Sequence, residues 1–174
     1  DSIFSVTRNA SEINMEATET VTKDIFTKIK VLGFPKIFQC IDAPREMDEN
    51  LQRHSLNVAF TNGVIGQWLK LPEPMIKKLV CAGLVHDIGK TKVPEEILNA
   101  PRRLTEEEFE IIRAHPVYSY ELLWDNVDED IRLAARHHHE RLDGKGYPDQ
   151  IAGDEISLLA RITAISDVYD AMIS

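Results

Sequence analysis

Residues 75–90 read MIKKLVCAGLVHDIGK, an apolar segment that ends in the adjacent pair His86-Asp87. Its uncharged part, Leu79 to Val85, is far shorter than the ~20 residues that cross a bilayer, so we predict a buried helix of a globular domain. We expect this helix to run from Met75 to His86. Consecutive residues of a helix project about 100° apart, so the pair could serve two cations, with the Asp87 carboxylate between them.

The sequence before this segment also has a helical pattern. Near the N-terminus, apolar residues recur every four positions: Ile13, Ala17, Val21, Ile25 and Ile29. We predict that Gly33 and Pro35, and then Asp42, Ala43 and Pro44, break this helical pattern, because glycine and proline are unfavourable in helix interiors. A second helix is expected from about Pro44 to Leu69.

The helices after Asp87 carry recognisable start signals. Thr105 and Glu108 have the spacing of a capping box, and Pro116 suits the first turn of the next helix. We predict that Asp128 and Asp154 cap the last two helices, the final one running through Met172. Because no run alternates β-branched and polar residues, the predicted fold class is all-α.

The composition is that of an ordinary acidic globular protein. The chain has 174 residues, 43% of them apolar, and we divide it into an N-terminal helical segment (1–44) and a main domain (45–174). A net charge of −9 disfavours binding to a nucleic-acid polymer. Two cysteines form no disulfide framework, and neither a signal peptide nor a membrane-spanning segment is evident, so we predict a cytoplasmic protein.

Histidine and aspartate side chains indicate metal chemistry. The chain has six histidines, and aspartates stand at Asp87 and, on the inner side of the final helix, at Asp167. Imidazole and carboxylate suit borderline divalent ions, while the lack of a cysteine pair argues against a structural zinc site. Five histidines with two aspartates exceed the ligands that one tetrahedral ion uses, which favours a two-metal centre.

The order of the motifs resembles a known family. Residues 143–148 read DGKGYP, a loop whose two glycines and proline exclude regular structure. With this loop, the chain resembles the HD-GYP subfamily of the HD-domain phosphohydrolases from about Arg45 to Ser174. The other motifs that carry the resemblance are Arg53 to Ala59, His86-Asp87 with Lys90, His115-Pro116, His138-His139-Glu140 and Ile165 to Asp170.

The resemblance implies two ions that share Asp87. One ion would be held by His54, His86, Asp87 and Asp167, and the other by Asp87, His115, His138 and His139. Family members with a third ion carry Glu where this chain has Asn50, so two ions are expected here. Iron or manganese is favoured, with nickel or zinc as alternatives, and His137 is expected to lie outside the ligand set.

The resemblance also implies the substrate side of the site. Asp87 and Lys90 would be the catalytic residues, with Lys90 facing the scissile phosphate. The residues expected to bind substrate are Lys90, Asp143, Gly144, Lys145, Gly146 and Tyr147.

The activity that the resemblance implies is hydrolysis of cyclic di-GMP by a hydroxide activated between two metals. Two alternatives stay open: a phosphohydrolase acting on another nucleotide, and a non-catalytic nucleotide-binding signalling module. An upstream sensor or receiver module is an expected partner. Because the family has further helices after Ser174, we expect a C-terminally truncated HD-domain bundle whose exposed apolar surface a homodimer would cover.

Overall fold

The regular structure of the protein is helical. The computed structural model describes residues 14–42, 50–123 and 127–173, with side chains for 14–31, 53–123 and 127–173. No strand occurs in these ranges, so the predicted all-α class is confirmed. The described α-helices are α1 (Met15–Asp42), α2 (Asn50–Trp68), α3 (Glu73–Val85), α4 (Glu95–Leu98), α5 (Glu106–Arg113), α6 (His115–Leu122), α7 (Glu129–His137) and α8 (Leu158–Ile173). Two 3₁₀ turns cover Ile88–Lys92 and Gly153–Glu155.

The core lies around α3, the helix that the apolar segment predicted. Leu79, Val80 and Ala82 of α3 are fully buried. They belong to one apolar cluster together with residues of α1, α2, α7 and α8, among them Ile29 and Ile162. Burial of each large aliphatic side chain contributes roughly 1.5–3 kcal/mol. This packing fixes the C-terminal end of α3, where His86 and Asp87 lie.

Three predicted helix starts are confirmed. Thr105 Oγ1 accepts the Glu108 N–H at 3.2 Å, and the Glu108 carboxylate accepts the Thr105 N–H at 2.9 Å, so α5 has a complete capping box. Pro116 lies in the first turn of α6. Asp128 caps α7 by accepting the Asp130 N–H at 3.0 Å. These signals are readable because both partners are close in sequence.

One predicted break and one predicted cap are wrong. Helix α1 continues through the first predicted break, at Gly33 and Pro35, and ends at Asp42, where the second predicted break begins. Asp154 lies in a 3₁₀ turn rather than at the start of α8. The chain first extends to bury Ile156, and Ser157 Oγ then accepts the Ala160 N–H at 3.2 Å.

Three further expectations concern the chain as a whole. Residues 43–49, including the expected helix start at Pro44, and Ile13 lie outside the described residues. None of the helices described here is long and apolar enough to span a membrane. The expected exposed apolar surface is present on α8, where Ile165, Val168 and Met172 are 61%, 57% and 79% exposed. A homodimer and the division at residue 44 stay predictions.

Candidate metal centre

Seven predicted residues from five parts of the chain lie together. His54 comes from α2, the His86-Asp87 pair follows α3, and His115 begins α6. His138 and His139 follow α7, and Asp167 lies on α8. Two sets of donor atoms each lie within 4.8 Å of one another: Asp87, His115, His138 and His139, and also His54, His86 and Asp87. Asp167 Oδ1 lies 3.0 Å from His54 Nε2.

The His-Asp pair lies at a turn rather than within a helix. α3 ends at Val85; His86 keeps helical angles, but Asp87 leaves them with φ −100° and ψ 7°. The turn packs closely on α6, since a Cβ on Gly89 would lie 2.0 Å from the His115 carbonyl oxygen. Ser119 Oγ donates to the His86 carbonyl at 2.7 Å and accepts the Gly89 N–H at 2.9 Å. The expectation that the pair lies within one helix is therefore wrong, because Asp87 begins the 3₁₀ turn that packs against α6.

Three histidine rings are oriented by backbone carbonyls. Each Nδ1 lies within hydrogen-bond distance of the carbonyl three residues earlier: His86 with Gly83 (2.9 Å), His115 with Ile112 (2.7 Å) and His138 with Ala135 (2.8 Å). A carbonyl oxygen can only accept, so each Nδ1 carries the ring hydrogen. The Nε2 atoms then face the cluster, which is how metal-binding imidazoles are commonly oriented.

The facing Nε2 atoms require a positive group between them. His115 Nε2 and His138 Nε2 lie 3.3 Å apart, and two lone pairs cannot bond each other. His86 Nε2 is buried and has no hydrogen-bond partner among the described residues. Burial and neighbouring imidazoles hold the pKa of His138 well below its usual value and lower the pKa of His139 to about 4. This set of buried, facing nitrogen donors fits divalent metal ions.

The Asp87 carboxylate faces both donor sets. Its Oδ1 lies 3.1 Å from His115 Nε2, while its Oδ2 lies 3.4 Å from His86 Nε2 and 3.7 Å from His54 Nε2. Burial opposes ionisation, but His86, His115 and the Lys90 ammonium hold the pKa of Asp87 well below its usual range. Lys90 Nζ donates to Oδ2. A charged carboxylate with one oxygen toward each set can bridge two cations.

The His54 ring is held by carboxylates instead of carbonyls. Its Nε2 lies 3.0 Å from Asp167 Oδ1, and its Nδ1 lies 2.7 Å from Asp170 Oδ2. Asn57 Nδ2 donates to Asp170 Oδ1 at 2.8 Å. Burial favours the neutral ring, but the two carboxylates outweigh it and raise the pKa of His54 to about 9. Asn57 and Asp170 lie in motifs that carry the family resemblance, Arg53 to Ala59 and Ile165 to Asp170, but neither was predicted to be a metal ligand.

The DGKGYP loop is folded against the cluster. A Cβ on Gly146 would lie 2.5 Å from the Glu140 Cα, so the loop backbone lies directly on the segment that follows His139. The Tyr147 ring stacks on the His139 ring with 4.8 Å between centroids. Glu140 Oε1 accepts the N–H groups of Asp149 and Gln150, at 2.6 and 2.9 Å. Tyr147 is thus held beside the metal-ligand candidates.

The outer part of the DGKGYP loop is exposed to solvent. Asp143 and Lys145 are exposed, and Asp143 pairs with Arg141 through both of its oxygens. Gly144, with φ +69°, provides the left-handed turn between them. His137 pairs with Asp149 at 2.9 Å and is not in either donor set. The side chain of Asn50, on which the expectation of two rather than three ions depends, lies outside the described residues.

Comparisons with known proteins agree with this architecture. A family model described as HD domain matches residues 40–174. The chain is 41% identical, over 83% of its length and 35% of the relative's, to "Cyclic di-GMP phosphodiesterase PA4108" of Pseudomonas aeruginosa. It is 42% identical, over 69% of its length and 28% of the relative's, to "3'3'-cGAMP-specific phosphodiesterase 1" of Vibrio cholerae.

A solved structure shows the same fold. The chain superposes with a TM-score of 0.77 on Bd1817, an HDG"Y"P protein from Bdellovibrio bacteriovorus, over 98% of this chain and 56% of that one, at 17% identity. The chain spans about a third of the length of the curated relatives named above. The resemblance to HD-GYP proteins that the motifs predicted is confirmed, and the family match over residues 40–174 means that this chain belongs to the HD domain family.

Proposed function

We propose that this chain is a metal-dependent phosphodiesterase module that hydrolyses cyclic di-GMP. The observation that carries the proposal is the convergence of buried imidazole nitrogens on the two oxygens of Asp87. Such a donor set is costly to bury without cations, and it matches the needs of a two-metal hydrolase. The names of the relatives support the choice of a cyclic dinucleotide as substrate.

The ligand sets follow the two donor groups. The first ion would be held by His54, His86, Asp87 and Asp167, and the second by Asp87, His115, His138 and His139. We favour iron or manganese, because imidazole and carboxylate suit both, with nickel or zinc as alternatives. When bound, the pair of ions would neutralise phosphoryl charge and lower the pKa of water for attack on phosphorus.

The residues around the ions bind and orient the substrate. Lys90 is the catalytic cation of the chain itself: its ammonium beside Asp87 contacts the scissile phosphate and stabilises the charge that grows on its oxygens. Tyr147, stacked on His139, forms the wall against which the nucleotide binds. The exposed Asp143 and Lys145, with Gly144 and Gly146 as turn residues, form the outer edge of the substrate site.

The acidic surface makes the metal ions necessary for substrate attraction. A chain of net charge −9 repels a dianionic dinucleotide at long range. Two divalent ions together with Lys90 bring five positive charges against the Asp87 and Asp167 carboxylates. Local attraction then overcomes the background only in the loaded protein, so substrate binding should depend on metal.

Elemental analysis combined with a turnover assay tests the proposal. The purified chain, loaded with Mn²⁺ or Fe²⁺ under exclusion of oxygen, should hold about two ions per chain and convert cyclic di-GMP to the linear dinucleotide or GMP. His137→Ala, a histidine outside both donor sets, is the matched control and should keep both ions. A chain that binds no divalent ion, or that binds two and gives no product from any phosphate ester, contradicts the proposal.

A substrate panel separates the alternatives. Because one relative is named a 3'3'-cGAMP-specific phosphodiesterase, 3'3'-cGAMP is the second candidate substrate and should be compared with cyclic di-GMP at equal concentration. Faster hydrolysis of 3'3'-cGAMP would show that it is the preferred substrate. Tight binding of either dinucleotide without product would favour a non-catalytic signalling module. An upstream sensor or receiver module and a homodimer are further proposals, which a longer version of the chain would test.

A further inference from the structure

One histidine of the cluster is supported by a relay of side chains rather than by the backbone. His54 Nδ1 bonds Asp170 Oδ2 at 2.7 Å, and the other oxygen of Asp170 accepts from Asn57 Nδ2 at 2.8 Å. Asp170 and Asn57 are buried, at 3% and 7% exposure. The relay joins α2 to α8 and ends on the histidine that also faces Asp167.

The chemistry of this relay differs from that at the other rings. His86, His115 and His138 lie against neutral carbonyl oxygens, whereas His54 lies against a carboxylate. A carboxylate acceptor strengthens the imidazole as a ligand and fixes its orientation. Because Asn57 occupies the second oxygen of Asp170, the carboxylate has one defined oxygen left for the ring.

We propose that Asp170, held by Asn57, is the positioning residue that presents His54 Nε2 to one of the two ions. This inference rests on the proposed metal centre. It predicts that the relay acts on one ion, because the relay ends on the ring of His54, which belongs to the donor set of His54, His86 and Asp87. The ion held by His115, His138 and His139 has its own carbonyl supports.

The purely structural alternative is that Asp170 only ties α2 to α8. Both roles predict a loss of stability when Asp170 is replaced. Only the positioning role predicts that one ion is weakened selectively in a protein that stays folded. Metal affinity, measured site by site, is therefore the decisive readout, and it does not depend on turnover.

The experiment is a calorimetric titration of the metal-free chain with Mn²⁺. Wild type should bind two ions, and Asp170→Asn should bind one of them about 10–100-fold more weakly while the other keeps its affinity. Asn57→Ala, which leaves both carboxylates in place, should weaken the same ion by a smaller factor and serves as the second variant if Asp170→Asn does not fold. Asp149→Asn is the matched control, because Asp149 pairs with His137 outside both donor sets and should leave both affinities unchanged.

The outcomes separate the inference from the function it rests on. If wild type binds no ions, the proposed function fails. If wild type binds two ions and the Asp170 and Asn57 variants bind both equally well, the positioning role is overturned while the metal centre stands. Equal weakening of both ions in these variants would also overturn it, because that is the result of a general loss of packing.

Discussion

The outer histidines at the two ends of the proposed metal-ligand cluster are held by different kinds of acceptor. At one end, which we call the His115 end, the rings of His115 and His138 are buried and oriented by carbonyls of the preceding turn. At the other, the His54 end, the ring lies between the carboxylates of Asp167 and Asp170, and its side chain is 18% exposed. Asp87 is common to both ends.

This difference shows how the surroundings set the protonation of a ligand before any ion binds. Carbonyl acceptors carry no net charge, so burial dominates at the His115 end and the pKa of His138 falls well below its usual value. Two carboxylates outweigh burial at the His54 end and raise the pKa of His54 to about 9. His138 is therefore unprotonated at neutral pH, while His54 must first release a proton before it can bind a cation.

Removal of the residue that joins the two ends should have the largest effect. Asp87→Ala takes one charged oxygen from each donor set, namely the oxygens beside His86 Nε2 and His115 Nε2. We expect loss of both ions and turnover reduced to background, a decrease of at least about 10³-fold. Metal content and cyclic di-GMP turnover measured on the same sample test this, and retention of either ion with full activity would refute the bridging role.

Substitution of Lys90 should spare both ends and affect the chemistry alone. Lys90→Ala removes the ammonium beside Asp87 but no histidine or carboxylate, so both ions should stay bound. We expect kcat to fall by about 10²–10³-fold, the typical effect of removing one group that stabilises transition-state charge. Lys92→Ala, in the same turn, is the matched control. Loss of metal with unchanged turnover per loaded site would show that Lys90 instead supports the ions.

The sequence could predict the donors of both ends but not the acceptors behind them. The residue types identify the imidazole and carboxylate groups. The order of the motifs predicted that His54, His115 and Asp167 belong to one two-metal centre. The acceptors depend on three-dimensional geometry and not on residue type. Ile112, for example, orients the His115 ring through its backbone carbonyl oxygen. Asp170 reaches His54 because α8 packs beside α2, which brings residues that are distant in sequence into contact.

In the fold, too, features set by neighbouring residues could be predicted, and features set by tertiary packing could not. The capping box of Thr105 and Glu108 was predictable because both partners lie within one turn. The start of α8 was not, because burial of Ile156 rather than the local sequence decides where the chain turns into the helix. Continuation of α1 past Gly33 and Pro35 similarly contradicts intrinsic propensity.

A pH series should separate the two ends. Below pH 9, His54 must lose a proton before its Nε2 can bind an ion, so the apparent association constant at the His54 end should rise about tenfold per pH unit from about pH 7 to 9. With its pKa at about 4, His139 adds no such slope at the His115 end. Calorimetry in buffers of different ionisation enthalpy should detect about one proton released per chain at pH 7.5.

The metal-free protein should respond to pH in the opposite direction. The pKa of His54 is higher in the folded chain than its usual 6.5, so its contribution to stability is complete below pH 6.5 and is lost as the pH rises through 9. The thermal unfolding midpoint of the metal-free chain should therefore decrease as the pH rises from 6.5 to 9. A His54→Gln variant should lack that fall, and a wild-type chain with a flat profile would contradict the charged state of His54.

The smallest effect is expected from a substitution that alters the metal affinity of both ends equally. Ser119→Ala removes the hydroxyl that bonds the His86 carbonyl and the Gly89 N–H, and so loosens the turn that carries Asp87. Leaving these buried backbone groups unpaired should lower the free energy of unfolding by about 1–3 kcal/mol, as measured by urea denaturation of the metal-free chain. Thr105→Ala, a cap far from the turn, should cost about 1 kcal/mol with no change in metal affinity. Because His86 and Asp87 move together in the loosened turn, both ions should weaken by a similar factor, whereas selective loss of one would show that α6 supports one end more than the other.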